Sequence, residues 1–118
     1  MSWVSYPGLP THPQWELMKK QMNGPGSMIS FGVKGGFDSA RRVINAMRLA
    51  TLAVSLGGIE TLVEHPASMT HASLPRAERE AAGIRDDLIR LAVGCEAVED
   101  LQADLEAALA TVRQTVTV

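Results

Sequence analysis

Residues 50–71, Ala-Thr-Leu-Ala-Val-Ser-Leu-Gly-Gly-Ile-Glu-Thr-Leu-Val-Glu-His-Pro-Ala-Ser-Met-Thr-His, are split by Gly57-Gly58 into two short apolar runs. In the first run Leu52, Ala53 and Val54 are apolar enough to be buried. Ser55 stands immediately before the break, where a hydroxyl and a nearby backbone N–H at an edge can hold a small anion. In the second run Ile59, Thr61 and Val63 alternate with Glu60, Leu62 and Glu64, the pattern of a half-buried strand. Pro66 ends it, because proline cannot donate to a ladder. The remainder of the chain is expected to pack around this ribbon.

The flanking segments alternate between the two regular periods. Tyr6-Pro7-Gly8 is a turn signal in an entry strap without periodicity. Thr11 with Gln14 forms a capping box for a helix carrying Leu17, Met18 and Met22, and Asn23-Gly24-Pro25-Gly26 closes it. Residues 28–34 alternate as a strand, with Ile29, Phe31 and Val33 on the face expected to meet the core. After Gly35-Gly36, Asp38 is the expected cap of a helix in which Ala40, Val43, Ile44 and Met47 recur at helical spacing. Ser73-Leu74-Pro75 opens a short polar helix through Glu80 that Gly83 stops, and Asp86-Asp87 leads into a strand over residues 88–93. Val98, Leu101, Leu105, Leu109 and Val112 mark a last amphipathic helix, with Glu96, Glu99 and Asp100 at the end the helix dipole favours for acids. Interleaved strands and helices with short turns predict an α+β domain: a small, mainly antiparallel sheet with helices packed on one side.

A chain of 118 residues, 46% hydrophobic and 20% charged, has room for one modest core, so residues 1–118 read as a single domain. A net charge of −2 with scattered rather than striped Lys and Arg gives no electrostatic footprint for nucleic acid. The lone Cys95 precludes an internal disulfide and fits a cytoplasmic protein, and no apolar run approaches the roughly 18 residues of a membrane span. His65 and His71 match neither the i, i+4 zinc pair nor a turn pair, and no metal site is expected. His71, Ser73 and Asp86 lack a nucleophile elbow, and the glycine pairs lack the lysine and hydroxyl of a phosphate loop.

Arg90 is the only charge within Leu88-Ile-Arg-Leu-Ala-Val93. Its guanidinium either points to solvent from the outer face, pairs with a protein carboxylate, or receives a ligand carboxylate through two parallel N–H···O bonds.

The segments Tyr6-Pro-Gly-Leu-Pro with His12-Pro-Gln, Val54-Ser-Leu-Gly-Gly, Glu64-His-Pro-Ala-Ser-Met-Thr-His and Leu88-Ile-Arg-Leu-Ala-Val-Gly resemble, in this order, the carboxy-terminal portion of the Cys/Met metabolism enzymes. These enzymes depend on pyridoxal phosphate (PLP) and include methionine gamma-lyase, cystathionine gamma-lyase and cystathionine gamma-synthase. The resemblance runs over residues 3–110. It implies the carboxy-terminal domain of a fold-type I PLP enzyme, in which Arg90 holds the α-carboxylate of an amino-acid substrate and Ser55 helps to position it. It also implies that the Schiff-base lysine and phosphate donors belong to a large PLP-binding domain absent from this chain, so that the chain carries no catalytic residue and is inactive alone.

The resemblance implies a carbon–sulfur lyase acting by γ-elimination on a small sulfur amino acid, in a parent homotetramer. Val54 stands where many members that handle cystathionine carry glutamate, giving an apolar wall suited to a thioether and pointing towards methionine gamma-lyase. Gly57-Gly58 is instead like the cystathionine gamma-synthase and gamma-lyase enzymes of trans-sulfuration. A rival expectation is a non-catalytic binding or assembly module, which self-associates or docks through the helix from Val98 to Val112 or through an exposed apolar surface.

Overall fold

A computed structural model describes residues 1–113. The strands are β1 (Trp3–Ser5), β2 (Met28–Gly32), β3 (Thr51–Leu52), β4 (Leu62–Glu64) and β5 (Leu88–Ala92). The helices are α1 (Trp15–Gln21), α2 (Gly36–Ala46), α3 (Arg76–Ala81) and α4 (Val98–Arg113), with one 3-10 turn at Pro66–Ser68. One sheet of order β1-β2-β5-β4-β3 joins them, antiparallel except where β3 runs parallel to β4. This is the expected α+β architecture.

The pleat explains the two faces. Ile29, Phe31 and Val33 of the β2 segment, Val63 of β4 and Ile89 and Leu91 of β5 fall on one side and join α2 and α4 in a single core. The helix α2 contributes Ala40, Val43 and Ile44, and α4 contributes Ala108 and Leu109. Burying such aliphatic side chains stabilises by about 1.5–3 kcal/mol each, which suffices to hold two helices on a narrow sheet. On the opposite face the register aligns Ser30, Arg90 and Glu64 across β2, β5 and β4.

Several expectations give way here. The centre of the sheet is β5, not the 50–71 ribbon, whose first run supplies only the two-residue edge strand β3. Leu52 and Val54 are exposed because an edge strand this short leaves one side open. Ile59 is 78% exposed, whereas Thr61, Leu62, Val63 and Glu64 are all buried, so the alternation over 59–64 is lost. Pairing on both edges and cover on both faces bury β4 throughout.

The capping box at Thr11 does not form: Gln14 occupies the cap position of α1 without a side-chain bond, and its N–H donates to His12 Nδ1 at 3.1 Å. None of the α1 residues is buried, and Leu17 and Met22 face outwards. Helix α2 begins earlier than Asp38 suggests, because Gly35 and Gly36 take positive φ (102° and 71°), leaving Asp38 in the first turn. The apolar side of α4, at Leu105, Ala108, Leu109 and Val112, is spent on the core rather than free to dock. Among the described residues no helix is long and apolar enough to cross a membrane.

Candidate functional site

Arg90 sits in the middle of the central strand, and the pleat directs it away from the helices. Its side chain is 24% exposed. The guanidinium neither floats in solvent nor serves one partner. Its Nη2 donates to the carbonyl oxygens of Val54, at 2.9 Å, and Ser55, at 3.2 Å. The same nitrogen lies 2.9 Å from Oε2 of Glu64, its cross-strand neighbour. Both N–H bonds of Nη2 are thus spent on carbonyls, and Oε2 of Glu64, buried, receives no aligned donor. The contact is an ion pair without a hydrogen bond. Among the described residues Nη1 and Nε carry no hydrogen bond to protein, so the N–H donors of these two nitrogens remain for an incoming anion, while either paired edge of the planar fork shares the engaged Nη2.

Glu64 is 1% exposed, and a charge that far from water must be compensated. Its other oxygen, Oε1, accepts the hydroxyl of Thr70 in a short bond. Because an ionised carboxylate only accepts and Thr70 has one hydroxyl proton, His71 Nδ1 must be the donor in its 2.9 Å contact with Thr70 Oγ1. A directed chain therefore runs from His71 through Thr70 and Glu64 to Arg90.

Val54 and Ser55 meet Arg90 through backbone oxygens, not through their side chains, which are exposed. A carbonyl repels an anion, so the Ser55 backbone orients the cation here rather than holding an anion itself. The strand carrying Arg90 is fixed to the 59–61 loop by close approach: a Cβ on Gly94 would lie 2.3 Å from the Ile59 carbonyl oxygen. Thr61 reinforces this, donating from both its N–H and its hydroxyl to the Glu96 carboxylate at 2.7 Å. Those bonds hold the Glu96 carboxyl below its ordinary range.

The remaining polar groups are occupied elsewhere. His65 is fully buried, donating from Nε2 to the Asp86 carbonyl at 2.7 Å and accepting the Ser68 hydroxyl at Nδ1 at 2.8 Å. Burial lowers its pKa, although the Asp86 carbonyl bond and the Asp86 charge pull the other way. Asp86 is engaged by Arg79 at 2.6 Å and Arg76 at 3.0 Å, and does not join His71 and Ser73. A polar cleft beside the start of β5 is lined by Lys34, Arg76, Glu80, Arg85, Asp86 and Asp87, whose cations and carboxylates largely pair with one another. No group of three His, Cys, Asp or Glu among the described residues could hold a metal.

Glu64 was the residue hardest to see in the sequence. It alternates with Val63 like a solvated position, and only its place beside Arg90 in the sheet shows what it faces. The one available signal was a carboxylate flanked by Leu62, Val63, His65 and Pro66.

The site is thus a partly exposed guanidinium on the central strand of a small α+β domain, a group whose chemistry suits an anionic ligand. Residues 1–110 match the Cys/Met metabolism PLP-dependent enzymes, and the chain belongs to that family. The L-methionine gamma-lyase of Fusobacterium nucleatum subsp. polymorphum is 58% identical over 106 residues, covering 90% of this chain and 27% of that protein. The cystathionine beta-lyase of Coxiella burnetii is 57% identical over 106 residues, with the same coverage of 90% and 27%. The crystal structure of cystathionine gamma synthase from Xanthomonas oryzae pv. oryzae in complex with cystathionine superposes with a TM-score of 0.89 at 47% identity, covering 98% of this chain and 30% of that chain. The chain thus spans less than a third of the length of these relatives.

The family's cofactor needs a lysine amine, a partner for the pyridine nitrogen and donors for the phosphate. Lys19 is engaged by Glu16 and the Trp15 ring, Lys20 is exposed on α1, and Lys34 lines the cleft with Asp86 and Asp87. No lysine among the described residues contacts Arg90, Val54 or Ser55. The described residues do not by themselves form a PLP site.

Proposed function

We propose that this chain forms the substrate-carboxylate clamp of a PLP-dependent carbon–sulfur lyase acting on a sulfur amino acid, most like a methionine gamma-lyase. The observation that supports this reading is the Arg90 guanidinium, fixed at Nη2 by the Val54 and Ser55 carbonyls and open along the rest of its fork. A carboxylate that takes an N–H of Nη1 or Nε is held against the positive charge, which is what an enzyme needs to present the adjacent carbon for proton abstraction. Ser55 and Val54 frame the approach, the first with its hydroxyl and the second with an apolar side chain suited to a thioether. The cofactor, when bound by other parts of such an enzyme, supplies the electron sink.

A chimera carries the test: residues 1–110 replace the matching segment of the Fusobacterium L-methionine gamma-lyase, and thiol release from L-methionine is measured. The chimera is expected to be active, and Arg90→Ala to lower kcat/KM by about a hundredfold, as loss of a charged hydrogen-bonded contact implies. Unchanged kcat/KM in that variant defeats the assignment. The trans-sulfuration alternative rests on the cystathionine enzymes among the relatives. A higher kcat/KM for L-cystathionine than for L-methionine in the same chimera decides for it.

A further inference from the structure

We infer that Glu64 is a positioning residue for Arg90, setting which guanidinium donors, those of Nη1 and Nε, are left to a ligand; this rests on the clamp reading above. Two neutral carbonyls on an exposed edge segment are weak anchors, since water competes for the same N–H groups. Glu64 changes that balance. Its carboxylate is buried, lies directly across the strand pair from Arg90, and places Oε2 2.9 Å from the same Nη2 that meets the carbonyls. With solvent excluded on the Glu64 side, the attraction between the two charges is poorly screened there.

The lack of an aligned hydrogen bond is the informative detail. Had Glu64 taken a forked pair from Arg90, it would compete with a substrate carboxylate for the same donors. Instead Oε2 meets one nitrogen whose protons are already directed at Val54 and Ser55, and leaves Nη1 and Nε untouched. Thr70, oriented by His71, satisfies Oε1 and fixes the carboxylate's rotation, so Oε2 is held towards β5.

The 118-residue chain, labelled with nitrogen-15, allows a direct test with L-methionine as the carboxylate probe. In the wild type the Arg90 Nε–Hε resonance should show the heteronuclear NOE of an ordered side chain. Glu64→Ala should lower that NOE to the value of a solvated arginine and weaken L-methionine binding about tenfold, the size of one lost charged contact. Glu64→Gln, which keeps the volume and an oxygen for Nη2, should retain most of the NOE and weaken binding roughly threefold, as a neutral contact replacing a charged one would. It also decides the matter if the alanine variant fails to fold. An ordered Arg90 with unchanged affinity in these variants overturns the positioning role while leaving the clamp intact. An L-methionine titration that survives Arg90→Ala overturns the clamp, and the NOE series then still decides whether Glu64 holds Arg90.

Discussion

The segment along the edge of the sheet, residues 48–55, is tied down near both ends by a charged side chain from another element, and the two ties are opposite in sign. At its start, Asp104 of α4 accepts the backbone N–H groups of Arg48, Leu49 and Ala50 at 2.7, 2.9 and 3.1 Å. At its end, Arg90 of β5 donates to the carbonyls of Val54 and Ser55. The anion uses its acceptors on three donors that follow the end of α2 and would otherwise need water. The cation spends one nitrogen of three. A group whose bonding capacity is largely used inside the protein serves the fold, whereas one left with open donors on a partly exposed face is available for a ligand.

This contrast can be broken in order of expected size. Asp104→Ala should cost about 2–3 kcal/mol in urea unfolding, as three backbone donors lose a charged acceptor at a site only partly exposed; a loss below that of Arg90→Ala would reverse the assignment of roles. Gly94→Ala should cost about 2 kcal/mol by forcing a Cβ against the Ile59 carbonyl, an overpacking effect, and should shift the backbone resonances of residues 59–61. On a Glu64→Gln background, which avoids stranding a buried carboxylate, Arg90→Ala should cost only about 1 kcal/mol, the scale of a partly exposed contact, while removing L-methionine binding, so that stability and affinity separate at one residue.

The smallest effect is the response to acid. Burial alone would raise the Asp104 carboxyl, but the N–H groups of Arg48, Ala50 and Leu49 outweigh it and hold the group below its ordinary value of 3.8. A depressed carboxylate stabilises the fold above that ordinary value, and the contribution fades as pH falls through the lower, folded one. Asp104→Asn should therefore flatten the dependence of stability on pH below about 4, measured by urea midpoints.

Much of this was legible in the chain. Period-2 alternation marked the β2 face at Ile29, Phe31 and Val33, and helical spacing marked Ala40, Val43, Ile44 and Met47, because each element is amphipathic by itself. Arg90 stands out as one charge among aliphatic residues, whereas the roles of Ser55 and Val54 towards a substrate come only from the family resemblance, and their backbone contact with Arg90 is not in any local pattern. What the chain did not reveal depends on pairing across distance. Glu64 and Arg90 are opposite only because β4 and β5 are antiparallel in one register. The burial of Thr61 and Leu62 and the exposure of Leu52 and Val54 follow from which strand lies at an edge, a property of order in the sheet rather than of any local pattern. Likewise the stripe on α1 has the right spacing for a core helix, yet none of Leu17, Met18 and Met22 is buried, and Met18 is covered only in part.

The location of the guanidinium has a kinetic consequence. Its root is on the strand bonded on both sides, the last part of a sheet to open, whereas the oxygens it grips lie just beyond a two-residue margin that frays first. In hydrogen–deuterium exchange the amides of residues 88–92 should be among the slowest, and those of residues 51–53 among the fastest of the sheet. The lifetime of a closed grip is then set by its loose half, and a bound amino acid should slow exchange at the margin far more than at the centre.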